Sequence, residues 1–140
     1  ISQLGINRVQ EFLNKIEYGN QTTSSNLDLY WSDFSLKISP LEQVTLLKKF
    51  NTNEFHLNFQ NVFSVKNAIK IASTPNGNFY GKTGTGRVNG QDINGWFIGY
   101  VETSDNSYYF ATNIQSDSNA TGKKAFEITS DILKKLHIWN

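Results

Sequence analysis

Residues 79–114 read FYGKTGTGRVNGQDINGWFIGYVETSDNSYYFATNI, and here the spacing of apolar residues changes from helical to extended. Phe79–Gly84, Gly95–Thr103 and Ser107–Ile114 are predicted as three strands. Asn89-Gly90 lies between the first two, a pair whose positions both tolerate positive φ and so suit a tight hairpin. Ser104-Asp105-Asn106 separates the second from the third. Connections this short make neighbouring strands antiparallel.

Outward from this meander the pattern is helical. Leu4, Val9, Phe12, Leu13 and Ile16 lie near one face of a helix predicted over Ile1–Glu17, which Tyr18-Gly19-Asn20 stops. Gln21–Asn26 is a polar loop, and Leu36-Lys37-Ile38 alternates briefly. Ser39-Pro40-Leu41-Glu42 starts a second helix: Ser at the N-cap, Pro at the first helical position, an acid near the positive end. A shorter helix is predicted over Val62–Ile71, ended by Ser73-Thr74-Pro75-Asn76-Gly77. A polar loop from Gln115 to Gly122 leads to a closing helix over Lys123–Lys135. The class is α+β, an antiparallel sheet flanked by helices.

Composition narrows the functions. The chain has 140 residues, enough for one domain. Thirteen Lys and Arg against twelve Asp and Glu give a net charge of +1, which argues against nucleic acid or anionic lipid as the partner. At 38% hydrophobic the chain is too apolar for a disordered tail, yet no run approaches the roughly 20 apolar residues that cross a bilayer. Without cysteine there is no disulfide, thiolate metal site or cysteine nucleophile. Methionine is absent too and the chain begins Ile1-Ser2-Gln3, so a leader or upstream portion is expected to lie before it.

Few residues can carry chemistry. His56 and His137 are far apart in sequence and lack nearby ligand partners, so no metal is expected. The carboxylates form no acid/base couple. The densest signal is Tyr80-Gly81-Lys82-Thr83-Gly84-Thr85-Gly86. Gly81-Lys82-Thr83 matches the end of a phosphate-binding loop, but Asn76 stands where that motif needs its first glycine, and no helix pattern follows. Two readings remain open. The glycines let a strand pass close to neighbouring backbone beside a solvated lysine. Alternatively this is a K-T-G strand lining an acyl-transfer site. There an ammonium and a hydroxyl bind a substrate carboxylate, Gly84 keeps bulk away from the acyl group, and a strand N–H serves an oxyanion hole.

The company of this motif favours the second. Tyr18-Gly19-Asn20 precedes it, Tyr30-Trp31 and Leu36-Lys37-Ile38-Ser39 lie between, and Asn94-Gly95-Trp96-Phe97-Ile98-Gly99-Tyr100-Val101-Glu102 follows. In that order, over essentially the whole chain, the sequence resembles the class D β-lactamases (oxacillinases) and the β-lactam-sensing receptor domains of the BlaR and MecR type. The resemblance implies the penicillin-recognising serine hydrolase fold, whose family sheet has five strands, with β-lactam antibiotics as partners. It implies that Lys82 and Thr83 hold the antibiotic's carboxylate and that the Thr85 backbone N–H is an oxyanion donor. Trp31 would donate its indole N–H to an N-carboxylated lysine, a CO2-derived carbamate that acts as general base. Plain core packing is the competing reading of Trp31. For Tyr18, Gly19 and Asn20 an architectural role is expected.

Departures from the family pattern matter as much. The arginine that many members carry on the terminal helix has Ala125 nearest its place, with Lys123 or Lys124 as substitutes that lack a bidentate fork. Ser32 stands where many members have Leu. Both differences point toward a Gram-positive enzyme or sensor, secreted or at the cell surface. The family's S-x-x-K and S-x-V motifs do not occur ahead of Tyr18; Ser24-Ser25-Asn26 follows it and reads as loop. Residues 1–140 are therefore expected to be the C-terminal portion of a single class D β-lactamase-like penicillin-binding domain, with the nucleophilic serine and the carboxylated lysine outside. The function expected is a serine β-lactamase acting through an acyl-enzyme. The alternatives are a receptor domain that is acylated without turnover, with a possible membrane tether, and a binding module with a chance K-T-G. Alone, the chain is expected to expose Trp96, Phe97 and Tyr109.

Overall fold

Asn89 and Gly90 take φ of 49° and 79° and join two long strands, β2 (Gly77–Val88) and β3 (Gln91–Thr103), whose register runs from Val88 opposite Gln91 to Gly77 opposite Thr103. A bulge between Gly86 and Arg87 twists the hairpin near its tip. β3 pairs in turn with β4 (Ser107–Gln115) across a three-residue turn, in which the Thr103 N–H donates to the Asn106 carbonyl at 2.9 Å. The computed structural model describes residues 4–23 and 35–140.

The sheet has a fourth strand that the periodicity conceals. Lys70–Thr74, assigned from sequence to the end of a helix and its stop, is β1, antiparallel to the start of β2. The order is β1-β2-β3-β4, every neighbour antiparallel. The preceding helix is α3 (Phe59–Ala68), capped by the Asn58 side chain, which accepts from the Gln60 N–H at 2.9 Å. The first helix is also shorter than predicted: α1 spans Ile6–Lys15 and buries Val9 and Leu13, while Phe12 faces solvent.

The second helix, α2 (Pro40–Asn51), begins as its sequence dictates. Ser39 Oγ accepts from the Glu42 N–H at 3.2 Å, and the Ser39 N–H donates to Glu42 Oε2 at 2.8 Å, a reciprocal capping box. Those bonds to its charged form hold the Glu42 carboxyl below the usual carboxylate range.

Strand alternation sorts the side chains onto two faces. Phe79, Phe97 and Val101 turn toward α4 (Gly122–Lys135) and meet Ala125 and Leu133, with Phe110, Phe126 and Trp139 packed around them. Phe97 and Phe126 meet edge-on at 5.0 Å, a preferred aromatic geometry. Phe97 is 1% exposed, so the expectation of an exposed Phe97 is corrected: α4 covers that face. Thr129 Oγ1 donates to the Ala125 carbonyl and accepts from Thr112 Oγ1 at 2.7 Å, which satisfies the polar atoms of this seam. On the other face Tyr80 stacks on Tyr100 at 4.6 Å, and α2 lies against β4 and β3.

Candidate active site

β1 covers only the beginning of β2. Its last partner there is Tyr80, followed by one further bond, from the Gly81 N–H to the Ile69 carbonyl at 2.8 Å. From Lys82 onward the outer edge of β2 carries no strand among the described residues. Backbone groups alternate along a strand, so the N–H groups of Thr83 and Thr85 point the same way as that of Gly81, toward the uncovered edge. The K-T-G segment therefore combines a paired inner edge with an open outer one.

That edge borders a cleft of about 920 Å³. Lys82, Thr83, Gly84, Thr85, Gly86 and Arg87 line one wall, Trp96 and Ile98 continue it onto β3, and Tyr18, Leu36, Lys37, Ile38 and Gln43 line the other. Lys82 is exposed, and its ammonium donates to the Thr83 carbonyl at 2.7 Å. That bond uses one of three donors, so two stay available for an anion. The Thr85 side chain turns toward α4, where its Oγ1 accepts from the Gly122 N–H at 2.9 Å. At the hairpin tip the Arg87 Nε donates to Asp92 Oδ1 at 2.7 Å. Gly84 has free space where a side chain would stand, the nearest atom being the Trp96 Cβ at 3.7 Å.

The opposite wall is held by Tyr18-Gly19-Asn20. The Asn20 N–H donates to the Lys37 carbonyl at 2.9 Å, Asn20 Oδ1 accepts from the Lys37 N–H at 2.9 Å, and Asn20 Nδ2 donates to the Ser35 carbonyl at 2.8 Å. Gly19 adopts φ of 52°, and a Cβ there would run into the Lys37 carbonyl, so only glycine fits this crossing. The clamp sets Leu36, Lys37 and Ile38 against the cleft.

Not every residue singled out from sequence comes to this place. Lys123 and Lys124 are exposed on the first turn of α4 and do not line the cleft; Lys123 Nζ lies 3.9 Å from Glu127 Oε1. Ala125 is fully buried in the core. Tyr30, Trp31, Ser32 and Ser24-Ser25-Asn26 lie outside the described residues. His56 and His137 belong to no cluster of metal-ligating side chains among the described residues.

Gln43 was not found from sequence. It is 8% exposed, lines the cleft from α2, and its Oε1 has no hydrogen-bond partner among the described residues. The available signal was its place three residues before the buried Leu46, a polar residue in an apolar helical stripe. Beyond the cleft, on the same sheet face, Asn51 Nδ2 donates to Glu102 Oε1 at 3.1 Å and to the Tyr109 hydroxyl at 2.8 Å. Burial, reinforced by the Glu102 charge, pushes the Tyr80 and Tyr100 phenols up, so both stay neutral.

Known proteins share this fold. The chain is 46% identical over 137 residues to the regulatory protein BlaR1 of Bacillus licheniformis, covering 98% of this chain and 23% of that protein. The solved C-terminal domain of the Bacillus licheniformis BlaR penicillin-receptor superposes with a TM-score of 0.93 at 45% identity. The solved class D β-lactamase of Bacillus subtilis gives 0.90 at 36%. Each covers 99% of this chain, and this chain spans 56% of each. The α+β sheet flanked by helices is thus the penicillin-recognising architecture, present here in part. The penicillin binding protein transpeptidase domain matches residues 2–134, and the chain belongs to that family.

Proposed function

We propose that this chain supplies the carboxylate-gripping wall of a domain that is acylated by β-lactam antibiotics. The observation that carries this reading is the open edge of β2, where the Lys82 ammonium and the outward N–H groups of Thr83 and Thr85 border one cleft. Lys82 and the Thr83 hydroxyl hold the antibiotic's carboxylate by charge-assisted hydrogen bonds. Gly84 leaves room for the ring system. A serine hydroxyl from outside this chain adds to the lactam carbonyl, whose oxygen takes up the negative charge and is met by the Thr85 N–H. The ring C–N bond then breaks, the nitrogen takes a proton, and the acyl group stays on the serine as an ester.

Two outcomes follow acylation. In a sensor the ester persists and the domain signals through a membrane segment outside these residues; in a β-lactamase water releases the acyl group. The 45–46% identity to the BlaR protein of Bacillus licheniformis, against 36% to the class D enzyme, favours the sensor. Hydrolysis, expected from the sequence, is the second reading, and the 0.90 TM-score with a class D β-lactamase supports it. Both put the domain outside the cytoplasmic membrane, secreted or at the cell surface. A chromogenic cephalosporin separates them in the protein that carries this sequence. A single burst followed by silence marks the sensor, and sustained turnover marks the enzyme. The absence of both a burst and a covalent mass adduct would reject the two readings together.

A further inference from the structure

The geometry points to Thr85 and Gly122 as a paired back-stop that fixes the oxyanion peptide, with the Thr85 side chain a positioning residue distinct from its own backbone donor. This rests on the acylation reading above. The peptide that carries the Thr85 N–H is the Gly84–Thr85 unit, and α4 begins directly on top of it. A Cβ on Gly122 would stand 2.6 Å from the Gly84 carbonyl oxygen, 2.9 Å from the Gly84 nitrogen and 2.9 Å from the Thr83 Cβ. The first residue of the helix thus lies flat on the strand at the peptide in question, a fit that only glycine permits. The same crossing is seated next door, where a Cβ on Gly95, the strand partner of Thr85, would strike the carbonyls of Thr121 and Ala120.

One directional bond completes the seat. Thr85 Oγ1 accepts the Gly122 N–H at 2.9 Å, one of the N–H groups that a helix start leaves without an internal partner. The neighbouring Lys124 N–H is already taken by the Thr121 hydroxyl at 3.1 Å. Thr85 therefore works in two opposite directions. Its backbone N–H faces the open edge, and its hydroxyl holds the helix behind the sheet. Rotating the Gly84–Thr85 peptide to swing the donor away would press the Gly84 carbonyl and the Thr85 side chain against α4. The oxyanion donor is held in place by the helix, and a donor held in advance is what stabilises a developing charge.

The test separates donor geometry from antibiotic binding. In the protein that carries this sequence, the pre-acylation dissociation constant and the acylation rate constant for benzylpenicillin are measured for wild type, Thr85→Val and Thr85→Ser. Thr85→Val keeps the shape and removes the acceptor, and the expected result is acylation slower by about tenfold or more with the dissociation constant held within about twofold. Thr85→Ser, which restores the hydroxyl, recovers the rate. Amide exchange at Gly122 in this chain supplies a readout without chemistry: the N–H exchanges faster in Thr85→Val and regains protection in Thr85→Ser. Acylation at the wild-type rate in Thr85→Val, or no recovery in Thr85→Ser, overturns the back-stop alone. An unmodified protein that forms no penicilloyl adduct overturns the underlying reading instead, and the back-stop with it.

Discussion

Asn20 and Lys37 exchange two hydrogen bonds, the Asn20 N–H donating to the Lys37 carbonyl and the Lys37 N–H donating to Asn20 Oδ1, each at 2.9 Å. Seventeen residues apart in the chain, they hold two segments side by side and so place one wall of the cleft. Asn20→Ala removes the side-chain bonds to Ser35 and Lys37. It is expected to cost ~1 kcal/mol of stability and to raise amide exchange at Lys37, read by urea unfolding and by NMR. Unchanged exchange at Lys37 would show that the backbone pair alone suffices.

Lys82→Ala tests the anion grip. A charge-assisted hydrogen bond is worth roughly 1.5–3 kcal/mol, so its loss is expected to weaken acylation about tenfold to a hundredfold. Mass spectrometry of the β-lactam adduct over time gives the rate in the protein that carries this sequence. An adduct formed at the wild-type rate would remove Lys82 from the site.

The capping box of α2 should be pH-dependent. Glu42 has its pKa lowered by bonds from Ser39, so its contribution is full above the ordinary carboxylate range and fades as the pH falls through the lowered value. Ser39→Ala is expected to cost ~1 kcal/mol near neutral pH. Glu42→Ala removes the titrating partner itself, so its deficit against wild type should narrow on acidification, and urea denaturation at several pH values checks it.

Phe97→Ala opens a cavity at the centre of the aromatic core and is expected to cost about 3–5 kcal/mol in urea denaturation. Tyr109→Ala, at a partly exposed ring, should cost less than half of that. Equal losses would contradict the burial that separates them.

These contrasts show how much of the molecule was legible in its sequence. The β2–β3 hairpin was, because Asn89-Gly90 demands positive φ at two successive positions and few other structures use that. The capping box was as well, since its chemistry is local. β1 was not: Lys70, Ile71, Ser73 and Thr74 are all exposed and only Ala72 turns inward, so no apolar alternation marks the strand. Its existence depends on β2 lying beside it. Phe97 was placed on the right element and the wrong face, because which side of β3 is covered depends on where α4 docks, a contact between distant parts of the chain. The K-T-G residues were legible as a motif, yet the turn of the Thr85 hydroxyl toward Gly122 rather than the cleft follows from that same docking.

The rim of β2 from Lys82 to Gly86, bare among the described residues, has one more consequence. A row of outward backbone donors and acceptors is a template on which a neighbouring molecule can add a strand of its own. The donors at Thr83 and Thr85 that would greet an antibiotic are the same ones a second copy would seize.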